Sequence, residues 1–318
     1  MDSSNGSASG TAHQAFPDRD QQTSWSPPRH RRPNPFDLVN SGGLGHRHPS
    51  HNMGSEPQEK DASQSRENGG INISAALDLY DKQYLTSQPK SLSGISIRSF
   101  ALGIVLSTSS TLTLYLLQPI TYSSLWRAPF FIAVLSLFHF LEFWTTAAYN
   151  THEAKISSFL LSSNGIAYQG AHGFAMLELL LEYYFFPNRW LPAHISRALL
   201  FSGLVMIVCG QIIRSMAMKA AGPSFNHIVQ STKRSSHKLV TTGIYSYLRH
   251  PSYFGFFWWA LGTQLVLGNI LGFLLYWGVL YKFFSARIRG EEEYLVGFFG
   301  GDYVRFRERT KAWIPFIR

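Results

Sequence analysis

The sequence has very little cysteine and little charge. Cys209 is the only cysteine among 318 residues, so a disulfide within the chain is excluded. Charged residues make up 15% of the chain and are almost absent from several long apolar segments, unlike in a typical soluble domain. The N-terminus also lacks the basic-then-apolar pattern of a cleaved signal peptide. We therefore expect the first apolar segment to act as an uncleaved membrane-insertion signal.

Residues 1–92 differ in composition from the rest of the chain. Ser, Gly, Asn, Pro, Gln and His dominate there, with few apolar runs. Such a segment buries too little apolar surface to offset its ordering entropy. We predict a disordered cytoplasmic tail over residues 1–92, transmembrane helices over 93–220 and a catalytic region over 221–318.

Six apolar segments predict an all-α integral membrane protein. A helix needs about 20 residues to cross the hydrocarbon core of a bilayer. The last two segments, about 252–267 and 270–286, are shorter and are separated by a Gly-Asn pair, which predicts a short helical hairpin. The four longer segments are about 96–117, 129–149, 165–187 and 196–218.

The basic residues indicate how these spans are oriented. The net charge is +9, and the positive side chains lie mainly in the tails and in the loop after the fourth long segment. Six spans put both termini on one side, and the positive-inside rule makes that side cytoplasmic. No basic recognition helix is present, which argues against nucleic-acid binding. We predict a cofactor-binding region on the cytoplasmic side.

Polar side chains at the ends of apolar segments predict a reaction site. The Arg-His-Pro sequence at 249–251 joins a polar loop to an aromatic-rich segment. Arg287 and Glu291 follow the last segment and share a helix face, although the same spacing suits a surface salt bridge. His237 and His250 could instead cap helices or contact headgroups. The histidine spacing and the lack of sulfur ligands argue against a metal site.

Other polar residues lie inside the apolar segments, where charge must be paired or must line a wet cavity. They are His139, Glu142, His172, Glu178 and Glu182. A structural pairing with Arg214 is one expectation for them, and a substrate route is another. Glu292 and Glu293 are interpreted as solvated charge on a helix surface.

The aromatic run after the Arg-His-Pro sequence has two interpretations. It could form the wall of a groove that opens sideways to lipid, or it could be an interfacial aromatic belt. The side chains concerned are Phe254, Phe256, Phe257, Trp258 and Trp259.

Four blocks of the sequence resemble the isoprenylcysteine carboxyl methyltransferase family, eukaryotic branch. They are residues 222–230, 237–245, 249–259 and 287–291, the last followed by Tyr303 and residues 314–317. The resemblance implies a multi-pass enzyme of the endoplasmic reticulum membrane with its active site facing the cytosol. Its substrates would be processed CaaX proteins, such as Ras- and Rho-like proteins, that end in a prenylated cysteine. Its methyl donor would be S-adenosylmethionine.

The resemblance also implies roles for particular residues. Arg287 would face the substrate, and Arg287 and Glu291 form the catalytic pair. The residues implied to bind the cofactor are Gln230, His237, Lys238, Leu239, Val240, Tyr245, His250, Pro251, Ser252, Tyr253 and Glu291.

The implied chemistry needs little from the protein beyond alignment. A C-terminal carboxylate has a pKa of about 3.3–3.7, so at neutral pH it is already an ionised nucleophile and needs no general base. The planar fork of Arg287 is suited to orienting its two oxygens. Glu291 could hold Arg287 or meet the positive end of the cofactor, and the sequence leaves both open.

Two other enzyme classes share parts of this pattern. A phospholipid N-methyltransferase would use the same cofactor. A sterol reductase using NADPH resembles the chain around the Arg-His-Pro sequence, but typically has more spans and a different sequence after the acidic residue. A transporter or lipid-binding scaffold would require all four blocks to be accidental. The oligomeric state is open.

Overall fold

The computed structural model describes residues 73–186, 191–234 and 237–317. Within these ranges the chain is almost entirely helical, which confirms the all-α prediction for this part of the protein. The β-type pairing found there is an isolated bridge between Leu248 and Lys311. The helices are α1 (Ile73–Lys82), α2 (Leu92–Leu117), α3 (Arg127–Tyr149), α4 (Gly165–Phe185), α5 (Ala193–Ala221), α6 (Pro251–Leu267), α7 (Ile270–Phe299) and α8 (Gly301–Arg309).

The six apolar segments correspond to α2 through α7. Within the described ranges, three helical segments are long and apolar enough to cross a bilayer: Leu92–Leu117, Ser124–Tyr149 and Ala193–Ser224. These three segments coincide with predicted spans. Membrane crossing by α4, α6 and α7 stays a prediction.

The second helix of the predicted hairpin is much longer than expected. α7 has 30 residues, a length of about 45 Å, and continues past residue 286. Nothing in the sequence stops it earlier, because the residues after Arg287 include several glutamates and a leucine, which favour helix, and no proline. Gly300 ends α7 with a positive φ of 54°, a conformation that glycine adopts readily.

The predicted N-terminal tail lies mostly outside the described residues, since residues 1–72 are not covered. The remainder of it contains α1, a ten-residue helix that the composition did not predict. α1 is amphipathic, and its apolar side chains Leu77, Leu79 and Tyr80 are exposed. The tail boundary at residue 92 coincides with the first residue of α2.

α5 and α6 pack backbone to backbone through two pairs of glycines. A Cβ atom built on Gly210 would lie 2.6 Å from the carbonyl oxygen of Gly255, and one on Gly203 would lie 2.8 Å from that of Gly262. Such distances leave no room for a side chain. This close approach brings Arg214, one turn beyond Gly210, onto the first turn of α6.

A buried carboxylate holds the start of α7 against α4. Glu178 accepts hydrogen bonds from the backbone N–H groups of Leu271 at 2.8 Å and Gly272 at 2.6 Å. The first N–H groups of a helix have no partner within it, so Glu178 acts as the cap of α7. Asn269 adds a hydrogen bond from Nδ2 to the carbonyl of Ala175 at 2.8 Å. The turn between α6 and α7 is therefore docked on α4.

The segment after α8 returns to the Arg-His-Pro sequence. The backbone N–H of Arg249 donates to the carbonyl of Lys311 at 3.0 Å, and its Nη1 donates to that of Thr310 at 2.9 Å. Ala312 and Ile314 are buried in the core. The segment after α8 is thus held against the Arg-His-Pro sequence at the start of α6.

Candidate active site

A cleft of about 700 Å³ lies between the end of α5, the loop that precedes α6, the start of α6 and the second half of α7. Most of the residues implied to bind the cofactor line it: Lys238, Leu239, Val240, Tyr245, His250, Pro251, Ser252, Tyr253 and Glu291. The other two, Gln230 and His237, line an adjoining cleft of about 460 Å³, which Lys238 and Glu291 share. The fold brings the whole set together, and the role of each residue stays a prediction.

The start of α6 is built by the Arg-His-Pro sequence. Pro251 occupies the first turn of the helix, where its missing N–H is no loss and its fixed φ suits the helix. His250 precedes it as the N-cap residue. The His250 ring stacks on Tyr253, one turn further on, with ring centroids 5.4 Å apart. The two rings form one wall of the cleft.

Arg287 reaches this wall from α7. Its Nε donates to the phenolic oxygen of Tyr253 at 2.8 Å, and its Nη2 donates to the backbone carbonyl of His227. The Tyr253 hydroxyl donates in turn to Oε2 of Glu291 at 2.6 Å. Arg287 and Glu291 do lie on one helix, as predicted, and Tyr253 connects them. Tyr253 therefore has a structural role that the sequence pattern did not indicate.

The interpretation of Glu292 as solvated surface charge is wrong. Its side chain is 11% exposed and accepts from Nε of Arg249 at 2.5 Å, while Nε2 of His250 lies 3.1 Å from the same oxygen. Glu292 faces the protein because it lies on the inner side of the long α7. Glu293 is exposed, as expected.

These contacts also set the ionisation of Glu292. Burial alone would raise the pKa of this carboxyl group, but hydrogen bonds and charge from His250 and Arg249 outweigh burial and lower it. Glu292 is therefore ionised at neutral pH and holds the Arg-His-Pro sequence to α7.

The expected pairing of an intramembrane carboxylate with Arg214 is present, and the carboxylate is Glu142. Nη2 of Arg214 donates to Oε2 of Glu142 at 2.7 Å, and Nε donates to the other oxygen. Nη1 donates to the Ser252 hydroxyl at 3.0 Å. The pair links α3, α5 and the first turn of α6 beneath the cleft.

The loop residue His227 lies beside this ion pair. Its Nδ1 is 3.7 Å from Glu142, and its Nε2 is 3.2 Å from the hydroxyl of Thr146. Burial lowers the pKa of His227 to about 4, with the Arg214 and Arg287 charges acting in the same direction and Glu142 opposing them. His227 is neutral at physiological pH.

The aromatic run is divided between core and surface. Phe257 and Trp259 are 0% and 1% exposed and pack in the core. Both the groove wall and the interfacial aromatic belt are therefore wrong for these two residues. Trp259 stacks on Phe138 of α3, with ring centroids 4.4 Å apart. Phe254, Phe256 and Trp258 are partly exposed and could still line a groove.

Several cleft residues were missed. Leu295 and Phe299 follow Glu291 at four-residue spacing, so all three lie on one face of α7. This spacing predicts that Leu295 and Phe299 line the cleft only if the helix continues past residue 286. Asn226 lies in a loop and Phe306 on α8. These two residues reach the cleft only through tertiary packing, so no local sequence pattern predicts them.

Comparison with known proteins assigns the chain to a family. The family model described as "Isoprenylcysteine carboxyl methyltransferase (ICMT) family" matches residues 203–297. A protein-S-isoprenylcysteine O-methyltransferase of Saccharomyces cerevisiae is 49% identical over 189 residues, which are 59% of this chain and 79% of that protein. The chain belongs to the isoprenylcysteine carboxyl methyltransferase family.

Other members of the isoprenylcysteine carboxyl methyltransferase family agree. The Homo sapiens protein of the same name is 36% identical over 228 residues, covering 70% of this chain and 75% of that protein. A solved structure titled as the eukaryotic intramembrane Ras methyltransferase ICMT superimposes with a TM-score of 0.63 at 30% identity, covering 78% of this chain and 88% of that one. Together with the apolar helices, this match makes the chain a multi-pass membrane protein.

Proposed function

We propose that this enzyme transfers a methyl group from S-adenosylmethionine to the C-terminal carboxylate of a prenylated cysteine, forming a methyl ester on processed CaaX proteins. Membership of the isoprenylcysteine carboxyl methyltransferase family supports methylation of prenylated proteins. The observation that carries the site assignment is the hydrogen-bonded connection from Arg287 through Tyr253 to Glu291. Through this connection Arg287, whose cationic side chain is suited to binding a carboxylate, is held next to the residues that line the proposed cofactor cleft.

The residues of the cleft fit S-adenosylmethionine. Leu295, Phe299 and Phe306 offer apolar surface for a purine ring, while Glu291 offers negative charge to a cationic group. When bound, this cofactor supplies a methyl group already activated by a positively charged sulfur.

The protein's contribution is to align the substrate. A carboxylate oxygen of the substrate forms a bond to the methyl carbon, the methyl–sulfur bond breaks, and its electron pair stays on sulfur. No proton is transferred. Arg287 orients the carboxylate, and its existing bonds to Tyr253 and His227 keep it from neutralising the nucleophile fully. Alignment of this kind supplies about 7–11 kcal/mol in favourable cases.

The membrane arrangement belongs to the same proposal. We place six spans, α2 to α7, with both termini and the cleft on the cytosolic side of the endoplasmic reticulum membrane. The bias of basic residues toward that side supports this orientation. Phe254, Phe256 and Trp258 would line the route by which the prenyl chain enters sideways from lipid. The Ras- and Rho-like class of substrates follows from the same chemistry.

The test is methyl transfer in membranes that contain the protein. Radiolabelled S-adenosylmethionine and N-acetyl-S-farnesylcysteine are supplied to the wild type, to Arg287→Ala and to Arg289→Ala, an exposed arginine two residues further on. We expect base-labile methyl ester from the wild type and Arg289→Ala, and none from Arg287→Ala.

Other results would redirect the assignment. Folded protein that binds the cofactor but forms no ester would reject prenylcysteine and favour phospholipid N-methylation. Folded protein that does not bind the cofactor would reject the methyltransferase and leave NADPH-dependent sterol reduction as the next test.

A further inference from the structure

Residues 310–317 follow α8 as an irregular segment that ends in a turn at 314–317, and we call this segment the strap. Burial alternates along it: Thr310, Ala312 and Ile314 face the protein, while Lys311 and Trp313 face outward. One side of the strap is therefore anchored in the core. The other side presents a basic and an aromatic side chain to the surroundings.

Two aromatic residues of the strap are held in an unfavourable backbone conformation. Trp313 has φ 55° and Phe316 has φ 63°, in the left-handed region that bulky residues rarely adopt. Their side chains are among the most exposed large apolar ones, at 62% and 79%. Glycine would adopt such a backbone at lower cost, so the aromatic side chains at these two positions are retained despite backbone strain.

Contacts with α7 show where the strap lies along the molecule. The Phe316 ring packs edge-on against Trp277 and Tyr281, with centroids 6.1 Å and 6.5 Å apart. Trp277 precedes Arg287 by ten residues, or about 15 Å of helix. The strap thus runs from the cleft toward the part of α7 that we place in the bilayer, and this inference rests on that placement.

Basic side chains lie at the cleft end of the strap. Arg309 and Lys311 are exposed, and Nζ of Lys311 lies 5.8 Å from the centre of the Trp313 ring. Arg305 and Arg307 on α8 lie beside them, but their charge is offset by Asp302, which pairs with Arg305, by Glu292, 3.7 Å from Arg307, and by the exposed Glu308. Basic residues bordering exposed aromatic rings are typical of segments that bind an anionic membrane surface.

The strap is also connected to the cleft. The carbonyls of Thr310 and Lys311 accept hydrogen bonds from Arg249, which adjoins His250. Arg249 in turn holds Glu292 on α7. Attachment of the strap to lipid would therefore stabilise the wall of the cleft.

We propose that the strap is a binding site for anionic phospholipids of the leaflet beside the cleft. Arg309 and Lys311 contact the headgroups, and the rings of Trp313 and Phe316 insert between the lipids. Through Arg249, this attachment supports the cleft, so that methyl transfer depends on the anionic lipid content of the membrane.

The first test measures insertion of the strap without relying on activity. Because Cys209 is the only cysteine, the full chain with Cys209→Ser and Trp313→Cys carries one thiol, which is labelled with an environment-sensitive nitrobenzoxadiazole dye. Thr232→Cys in the same background is the control, at an exposed loop position. In nanodiscs containing phosphatidylserine we expect dye at 313, but not at 232, to be quenched by spin-labelled lipid. Quenching by aqueous iodide at both positions would overturn the proposal.

The second test is a titration of phosphatidylserine into phosphatidylcholine nanodiscs, with initial rates of methyl transfer as the readout. We expect the wild-type rate to rise with phosphatidylserine, and Arg309→Gln and Lys311→Gln each to weaken the apparent lipid affinity about fivefold. Arg197→Gln, at the opposite end of the spans, should behave as the wild type.

A wild-type rate that is independent of phosphatidylserine would overturn the proposal. So would a dependence that survives when Arg309→Gln and Lys311→Gln are combined in one protein. Absence of ester in every lipid would instead concern the proposed reaction, because the dye measurement does not depend on it.

Discussion

Nε of Arg287 donates a hydrogen bond to the phenolic oxygen of Tyr253 over 2.8 Å. The same phenol donates to Glu291, so a tyrosine on α6 fixes two charged residues of α7 relative to each other. A sequence pattern that pairs Arg287 with Glu291 by spacing alone overlooks this bridging residue.

Replacing Tyr253 with phenylalanine should impair orientation of the substrate while keeping the ring stacked on His250. The lost bonds involve charged groups, so we expect kcat/KM for the prenylated substrate to fall about 10- to 100-fold. Steady-state kinetics with varied substrate and saturating cofactor would measure this. Tyr247→Phe, an exposed tyrosine nearby, is the matched control. Unchanged kinetics in Tyr253→Phe would show that Arg287 is held by other contacts.

Replacing Glu292 with glutamine should destabilise the contact between α7 and the Arg-His-Pro sequence. The change leaves Arg249 without its charged partner in a largely buried position, at a cost of about 3 kcal/mol. The loss of stability would be measured by thermal unfolding in detergent, with cofactor binding as the readout. Glu293→Gln, at the adjacent exposed position, should have little effect. Equal behaviour of the two variants would argue against the structural role of Glu292.

A single methyl group on Gly210 should disrupt the contact between α5 and α6. The added Cβ would lie 2.6 Å from the Gly255 carbonyl and 2.7 Å from the backbone nitrogen of Trp259. Because both are backbone atoms, we expect Gly210→Ala to lose about 2 kcal/mol or more of stability. Gly103→Ala is the control, since a Cβ at Gly103 meets nothing within 4 Å. The fraction of protein that stays monodisperse after heating should be lower for Gly210→Ala than for Gly103→Ala.

His227 should make the protein less stable as pH falls. Burial lowers its pKa from an ordinary value of 6.5 to about 4, with the neighbouring Arg214 and Arg287 charges acting in the same direction and Glu142 opposing them. Between these pH values the unfolded chain binds a proton that the folded chain does not. Stability is therefore full above pH 6.5 and decreases toward pH 4, by up to about 3 kcal/mol.

Denaturant unfolding at several pH values would measure this loss, with His227→Gln as the comparison. The variant should show a weaker pH dependence over the same interval. An identical dependence in both proteins would assign the effect to other groups.

The length of the apolar segments predicted the helices α2 to α6 well, because each has a continuous apolar stretch with polar or proline-containing ends. It failed for α7, since Arg287 and the glutamates after it mark the end of an apolar stretch without ending the helix. Glu292 was misjudged for the same reason. Burial of a charged helix face depends on a distant partner, here Arg249, and that partner is defined only by the fold.

The residues that line the candidate site were predicted more completely than the buried residues that hold them in place. The Arg-His-Pro sequence and the residues around it are close in the chain, so a local motif can identify them. Glu142 and Arg214 are 72 residues apart and meet only when α3 and α5 pack. The cost of unpaired charge inside a bilayer therefore suggested Arg214 as a partner for these carboxylates, but did not indicate which carboxylate would pair with it.

Glu178 fixes the start of α7, and the helix connects that start to Arg287. Arg287 lies sixteen residues after Leu271, about 24 Å along a helix that contains no proline. The contact of Glu178 with the first turn of α7 therefore sets the position of the Arg287 guanidinium along this helix relative to α4. In the six-span arrangement that we propose, this distance would set the space available for the prenyl chain between the two ends of α7.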